Sequence, residues 1–412
     1  MAVEPLAAEY ENLLRCIRCA ACLTSCPTYV LSHKEEEGPR GRIAIMRAMV
    51  EGHLEVTPDA VQHLDSCLLC EACSHVCPSG VEMERLGVAF REGVGASKGG
   101  RRWSERFAYE WLFGDLGHFR AVARLVRLYQ RSGLQWLARH LGILSLLGLK
   151  DQERLLPGMP RRFVVPRGQT IGEGEPAQVF AGCIMSTAFA PTTEHTAELL
   201  AAFGCQASFP QGQVCCGALQ LHAGEGDRAR ELARQNLDTF DGDAPIVVNA
   251  AGCGAMLKHY GQLLPDDPRA ARLAERVQDV SEFLAKRSPS RPPGAVERRV
   301  VLQDACHLLH AQRVDKAPRQ LLKAIPGLEM REMAEPGLCC GSAGIYNVTH
   351  RDTSAELQRR KADNILHTGA DTVATGNPGC LLQIQAGLPK AVQVRHIVDV
   401  LWEAYDASSE GR

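Results

Sequence analysis

The stretch GLCCGSAG, residues 337–344, sets Cys339 against Cys340 and follows the pair with four small residues. Neighbouring cysteines are poor disulfide partners, because their side chains diverge and a bridge would close a strained small ring. The same doublet stands in QVCCGAL, residues 213–219, as Cys215 and Cys216. The spacing around the doublets also repeats. Cys183 precedes the first and Cys253 follows it, while Cys306 precedes the second and Cys380 follows it. Equivalent positions are offset by 123, 124 and 127 residues, so this part of the chain is a duplication with small insertions.

Each copy alternates strand and helix. In the first, AQVFAG (177–182), QASF (206–209) and APIVVNA (244–250) read as strands. PTTEHTAELLAAFG (191–204), stopping at Gly204, and GDRARELARQNLDTF (226–240) read as helices. RRVVLQ, DKAPRQLLKAIPG, LEMRE, TSAELQRRKADNILHTG and DTVATG repeat the order between residues 298 and 376. Short apolar strands joined by helices imply a parallel sheet in each copy. The cysteines then fall at the carboxyl ends of strands, where open α/β sheets place their sites.

The whole chain has 412 residues, 45% hydrophobic and 23% charged, with a formal net charge of −2. That is the composition of a globular protein with room for two or three cores, and its charge gives no bias toward nucleic acid. No window approaches the ~20 apolar residues of a membrane span. The N-terminal MAVEPLAAEYENLLRC lacks the basic-then-apolar pattern of an export signal, so a cytoplasmic location is expected. Seventeen cysteines there are expected to serve as metal thiolates rather than as a disulfide framework.

Eight of them form two runs upstream. CIRCAACLTSCP holds Cys16, Cys19, Cys22 and Cys26 before Pro27; CLLCEACSHVCP holds Cys67, Cys70, Cys73 and Cys77 before Pro78. Each is C-x2-C-x2-C-x3-C-P, the bacterial ferredoxin run, in which three cysteines wrap one cluster and the fourth reaches its neighbour. The expected ligand sets are Cys16, Cys19, Cys22 and Cys77 on one [4Fe-4S] cluster, and Cys67, Cys70, Cys73 and Cys26 on the other. Structural zinc, the competing reading, draws on two separated C-x2-C pairs, a poorer match to three cysteines in seven residues. Helical periodicity in GRIAIMRAMVEG (Ile43, Met46, Val50), PDAVQHLDSC and VEMERLGVAFREGV makes this an all-α unit. It is similar to the α-helical ferredoxin of succinate dehydrogenase iron–sulfur subunits. Arg40 and Arg42 in GPRGR either offset the charge of the cluster shells or sit solvated at a helix start.

The duplicated region resembles the cysteine-rich CCG domain of heterodisulfide reductase and its relatives, over residues 177–402. In that family the pattern is a cysteine, a CCG turn and a C-x-x-C, twice over. Here Met256 in CGAM and Gln383 in CLLQ take the fifth position, so a five-thiolate noncubane cluster does not match while a four-thiolate [4Fe-4S] site still does. The segments EEEGPRGRI, NAAGCGAMLKHYG, CHLLHAQ and LCCGSAGIYNVTH together resemble the iron–sulfur subunit of bacterial glycolate oxidase (glycolate dehydrogenase). That resemblance implies an electron-transfer chain serving flavin-containing oxidase subunits, with a quinone or a carrier as acceptor and no flavin of its own. Consistent with this, GEGEPA from Gly172 precedes a strand instead of following one and reads as linker. The iron–sulfur subunits of anaerobic glycerol-3-phosphate and lactate dehydrogenases share the layout. A thiol/disulfide enzyme of the heterodisulfide reductase kind, and CCG halves that are docking modules with inert thiols, are the readings from other classes.

The expected organisation is an α/β protein with an all-α N-terminal domain: ferredoxin at 1–100, basic helical linker at 101–176, CCG domains at 177–290 and 298–405. The eight CCG cysteines, Cys183, Cys215, Cys216, Cys253, Cys306, Cys339, Cys340 and Cys380, are candidate sites for further clusters. Cys205 reads as a buried small hydrophobe. His307 and His310 in ACHLLH read as a capped helix start with one ring packed, or as metal ligands or proton carriers. Between residues 101 and 167 thirteen Lys or Arg face five Asp or Glu. There Leu134, Leu137, Leu141 and Leu144 form a helical stripe beside Trp136, expected to run to Gly148 and pack on the protein's own core. Contact with anionic lipid on the inner membrane face, or with a partner subunit, is the other reading of that stripe.

Overall fold

The computed structural model describes residues 3–97, 107–146 and 149–410. The N-terminal unit is all-helical. Its helices Pro27–Ser32, Pro39–Val50 and Pro58–Asp65 each open on proline, whose missing N–H costs nothing in a first turn. Thr57 caps the third by accepting from the Ala60 amide. Leu6, Leu13, Ile43, Met46, Leu64, Leu86 and Phe90 close the core between these helices and Met83–Ser97.

In the linker, Leu116–Arg131 is capped by Asp115, which accepts from the Gly117 and His118 amides. The leucine stripe departs from expectation. Its helix, Leu134–His140, ends just before Gly142 (φ +68°), and Gly148 lies outside the described residues. A left-handed glycine turns the chain after two turns of helix. Leu134, Trp136, Leu137 and Leu141 are consequently 53, 62, 42 and 64% exposed, not packed on a core.

Two sheets follow. The first contains β1 (Thr170–Ile171), β2 (Glu175–Phe180), β3 (Cys205–Ser208), β4 (Ile246–Val248) and β5 (Val277–Asp279), in the order β1-β3-β2-β4-β5. The second contains β6 (Arg298–Leu302), β7 (Leu328–Arg331), β8 (Thr372–Thr375) and β9 (Gln393–His396), in the order β7-β6-β8-β9. All pairings are parallel except β1 with β3, which is antiparallel. GEGEPA turns β1 into β2; a Cβ on Gly174 (φ +116°) would lie 2.1 Å from the Gly204 carbonyl oxygen, so only glycine fits there.

The duplicated halves share one core. Leu199, Leu200 and Val247 of the first pack with Val300, Val398 and Leu401 of the second. Asp399 clamps the same seam, accepting from His195 Nδ1 at 2.8 Å and Thr192 Oγ1 at 2.9 Å. The ends of β4 and β8 meet head to head, with the Ala251 amide donating to the Gly376 carbonyl at 3.0 Å and His396 Nε2 to the Asn249 carbonyl at 2.8 Å. The carboxyl edges of both sheets are thereby turned toward one another. Among the described residues no helix is long and apolar enough to cross a membrane.

Candidate functional site

Both ferredoxin runs bend the same way. The residues flanking the second cysteine of each are left-handed: Arg18 (φ 57°) and Ala20 (φ 68°) in the first, Leu69 (φ 50°) and Glu71 (φ 60°) in the second. Non-glycine residues seldom accept this conformation, and it recurs here at matching positions; turns containing left-handed residues are of the kind that form anion-binding concavities. Cys16, Cys19 and Cys22 line one cavity together with Cys77. Cys26 lines a second with Cys67 and Cys70. Cys73 borders both. Burial pushes the Cys70 and Cys73 thiols well above their ordinary range, so they ionise only beside a compensating positive centre.

Two cavities each lined by several cysteines, left-handed turns between those cysteines and a buried guanidinium suit an iron–sulfur cluster. Arg42 is that guanidinium, 1% exposed. It donates to the His63 carbonyl (2.8 Å), Thr28 Oγ1 (3.0 Å), Glu37 (2.9 Å) and Ser66 Oγ (2.8 Å), and Nη1 lies 3.9 Å from Cys26 Sγ. Arg40, by contrast, pairs with Glu35 at the surface.

In the CCG halves the sulfurs also converge. Cys183 contacts Cys215, Cys215 contacts Cys216, and Cys216 contacts Cys253. In the second half Cys306 contacts Cys339, Cys339 contacts Cys340, and Cys340 Sγ donates to Cys380 Sγ at 3.5 Å. Gly217 and Gly341, both at φ +88°, follow the doublets and bring the backbone within reach of Ala229 and Ser354. The halves nevertheless differ. All four cysteines of the first line a cavity of about 150 Å³ between the facing sheet edges, as does Cys306 of the second. Cys339, Cys340 and Cys380 are buried outside its walls.

Several neighbours of these sulfurs were not singled out from the sequence. Lys361, 1% exposed, donates from Nζ to the Glu335 and Pro336 carbonyls just before the second doublet. Asn236 donates to the Cys215 carbonyl, and Tyr260 to that of Cys216. Lys361 lies in the charged string RRKAD, which reads as solvated surface, so the sequence carried no signal for it. The fifth positions serve packing: Met256 joins the first-half core, and Gln383 donates to Ser354 Oγ at 2.9 Å. Cys205 is buried in the shared core. His307 and His310 fall in a π-helical turn, His307–Ala311, rather than an α-helical start. Both rings are engaged, where one was expected. His307 Nε2 donates to the Leu69 carbonyl and His310 Nε2 to that of Gly337, each at 3.0 Å. Burial lowers the His307 pKa and pushes His310 down to about 4, so both are neutral at physiological pH.

Comparison with known proteins agrees with this division. Residues 12–81 match the 4Fe-4S dicluster domain, and residues 177–258 and 300–385 match the cysteine-rich CCG domain. Residues 100–156 match the linker region of the glycolate oxidase iron–sulfur subunit. A "Probable glycolate oxidase iron-sulfur subunit" of Bacillus subtilis (strain 168) is 39% identical, the match covering 95% of this chain and 94% of that one. The glycolate oxidase iron–sulfur subunit of Escherichia coli (strain K12) is 28% identical over 97% and 96%. A fumarate reductase (CoM/CoB) subunit of Methanothermobacter marburgensis is 30% identical over 96% of this chain and 73% of its own. With helical dicluster unit, linker and paired CCG halves in one order along nearly the whole length, the chain belongs to the family of glycolate oxidase iron–sulfur subunits.

Proposed function

We propose that the chain carries electrons from a flavin-bearing partner, which oxidises glycolate to glyoxylate, to an acceptor such as a quinone or a carrier protein. On this reading Cys16, Cys19, Cys22 and Cys77 hold one [4Fe-4S] cluster, and Cys67, Cys70, Cys73 and Cys26 hold the second. Such clusters, when bound, exchange single electrons and so divide the two-electron oxidation of a 2-hydroxy acid. The observation that carries the reading is the continuity of the sulfur sites. Cys73 borders both ferredoxin cavities, and Leu68 borders both the second of these and the CCG cavity. Cys70, Cys339 and Cys306 lie in one apolar cluster with Leu68. Sulfur and hydrocarbon thus lie between successive sites, alongside the His307–Leu69 hydrogen bond.

The test is reconstitution. Purified alone, the chain should bind no flavin and oxidise no 2-hydroxy acid; with its flavin partner it should pass electrons from glycolate to an artificial dye. Stoichiometric flavin on the isolated chain would sink the proposal. A complex active only on lactate or glycerol 3-phosphate would keep the carrier role and change the substrate.

A second reading is supported by the CCG cavity, where five thiols meet His222 and His307. There the chain itself would reduce a disulfide. Iron content separates this from docking halves: about eight irons per chain correspond to the two ferredoxin clusters, and appreciably more to a loaded CCG site.

A further inference from the structure

Three segments distant in sequence meet at the junction of the ferredoxin unit with the first CCG half. Glu71 follows Cys70, Glu84 lies in the first turn of helix Met83–Ser97, and His259 follows helix Ala251–Lys258. Their ligand atoms all lie within 4.8 Å of one another. His259 Nδ1 is 3.1 Å from one oxygen of Glu84, and His222 Nε2 donates to the other at 2.7 Å. Glu71 has no ion pair among the described residues; its side chain hydrogen-bonds the Glu84 carboxylate, while its Oε1 is buried without a hydrogen-bond partner. Two carboxylates pressed together, one with an orphaned oxygen, form an arrangement that costs free energy unless a cation or a shared proton lies between them.

We propose that Glu71, Glu84 and His259 form a site for a single divalent metal ion, separate from the cysteine sets. Two carboxylate oxygens and one imidazole suit ions such as Mn²⁺, Fe²⁺ or Zn²⁺. His222 serves as a positioning residue, fixing the Glu84 carboxylate from its far side as outer-shell partners do in metal centres. The ion ties the second ferredoxin loop to the first CCG half. It also sets a fixed positive charge beside the cavity of Cys26, Cys67 and Cys70, which Glu71 and Glu84 border as well.

Mn²⁺ is the probe of choice, because thiolates hold it weakly and carboxylates hold it well. The full-length, cluster-loaded chain is titrated anaerobically with Mn²⁺, and the free ion is followed by electron paramagnetic resonance. Wild type should bind about one equivalent per chain, and its unfolding temperature should rise with added Mn²⁺ as expected for a ligand of the native state. His259→Gln should abolish both effects with iron content and visible spectrum unchanged, Glu84→Gln should abolish Mn²⁺ binding, and His222→Gln should weaken binding about 10- to 100-fold. Absence of Mn²⁺ binding by the iron-replete wild type at millimolar concentration would overturn the proposal in favour of a shared proton. Undiminished binding in Glu84→Gln and His259→Gln would overturn it as well. If either of these variants loses iron, the wild-type stoichiometry and thermal shift decide.

Discussion

Replacing Arg42 by Met removes one charge from the interior while nearly preserving the volume of the side-chain stem. In the native chain the guanidinium satisfies four oxygen acceptors: the His63 carbonyl, Thr28 Oγ1, Glu37 Oε2 and Ser66 Oγ. Removing one member of a buried ion pair costs about 3–5 kcal/mol. Glu37 keeps His63 Nδ1 and Ser66 Oγ, both at 2.6 Å, so the lower end, about 3 kcal/mol, is expected. For a unit of ferredoxin size this lowers the unfolding midpoint by more than roughly 10 °C. The charge also stands beside Cys26 and Cys67, so its loss should lower the reduction potential of a cluster held there. Arg42→Lys keeps the charge but not the forked geometry, and should retain the potential while losing part of the stability. Calorimetry of the cluster-loaded chain and a redox titration read the two effects separately. Wild-type values of both in Arg42→Met would refute the assignment of Arg42 as the counter-charge of this site.

Further outcomes are expected elsewhere. Cys77→Ser should damage the cluster whose other ligands are Cys16, Cys19 and Cys22; spectra showing loss of only the Cys67, Cys70 and Cys73 cluster would contradict the crossed ligation. Gly224 sits at φ +79°, where a Cβ would lie 2.7 Å from the Arg91 backbone, so Gly224→Ala should loosen the first CCG half from the ferredoxin and speed proteolysis between them. Burial works against the charge of Asp399, yet hydrogen bonds from His195 and Thr192 and the nearby His396 hold its carboxyl below the usual range. Its contribution, about 1.5–3 kcal/mol, is therefore full above the unfolded value of 3.8 and lost as pH falls through the folded one. The stability deficit of Asp399→Asn from this source should be level between pH 8 and pH 5, and a deficit that changes across that window would contradict the assignment to the Asp399 carboxylate. With its exposed leucines and Trp136 in a segment of thirteen basic against five acidic residues, the chain should float with phosphatidylglycerol vesicles and not with phosphatidylcholine ones. Unchanged flotation of Trp136→Asp would exclude this surface as the membrane contact.

Features that depend on neighbours along the chain were legible before any fold was known. Cysteine spacing marked the two ferredoxin runs and the duplicated CCG pattern, and apolar runs between helical segments located β2, β3, β4, β6, β7 and β8. The short strands β1, β5 and β9 escaped, because TI, VQD and QVRH are too brief or too polar to show a period. Whatever depends on distant segments emerged only in the folded chain. Arg42 has a buried role and Arg40 a surface one, although the two stand two residues apart, because only Arg42 turns toward Cys26, Glu37 and Ser66. The strands β4 and β8 stand end to end, so that one half's cysteines line a cavity while three of the other's lie outside it. Folding also leaves the Leu134–Leu141 stripe without a core and brings Glu71, Glu84 and His259 together. Spacing encodes the turn a loop can make around a ligand; burial and charge pairing arise only when separate segments share a volume.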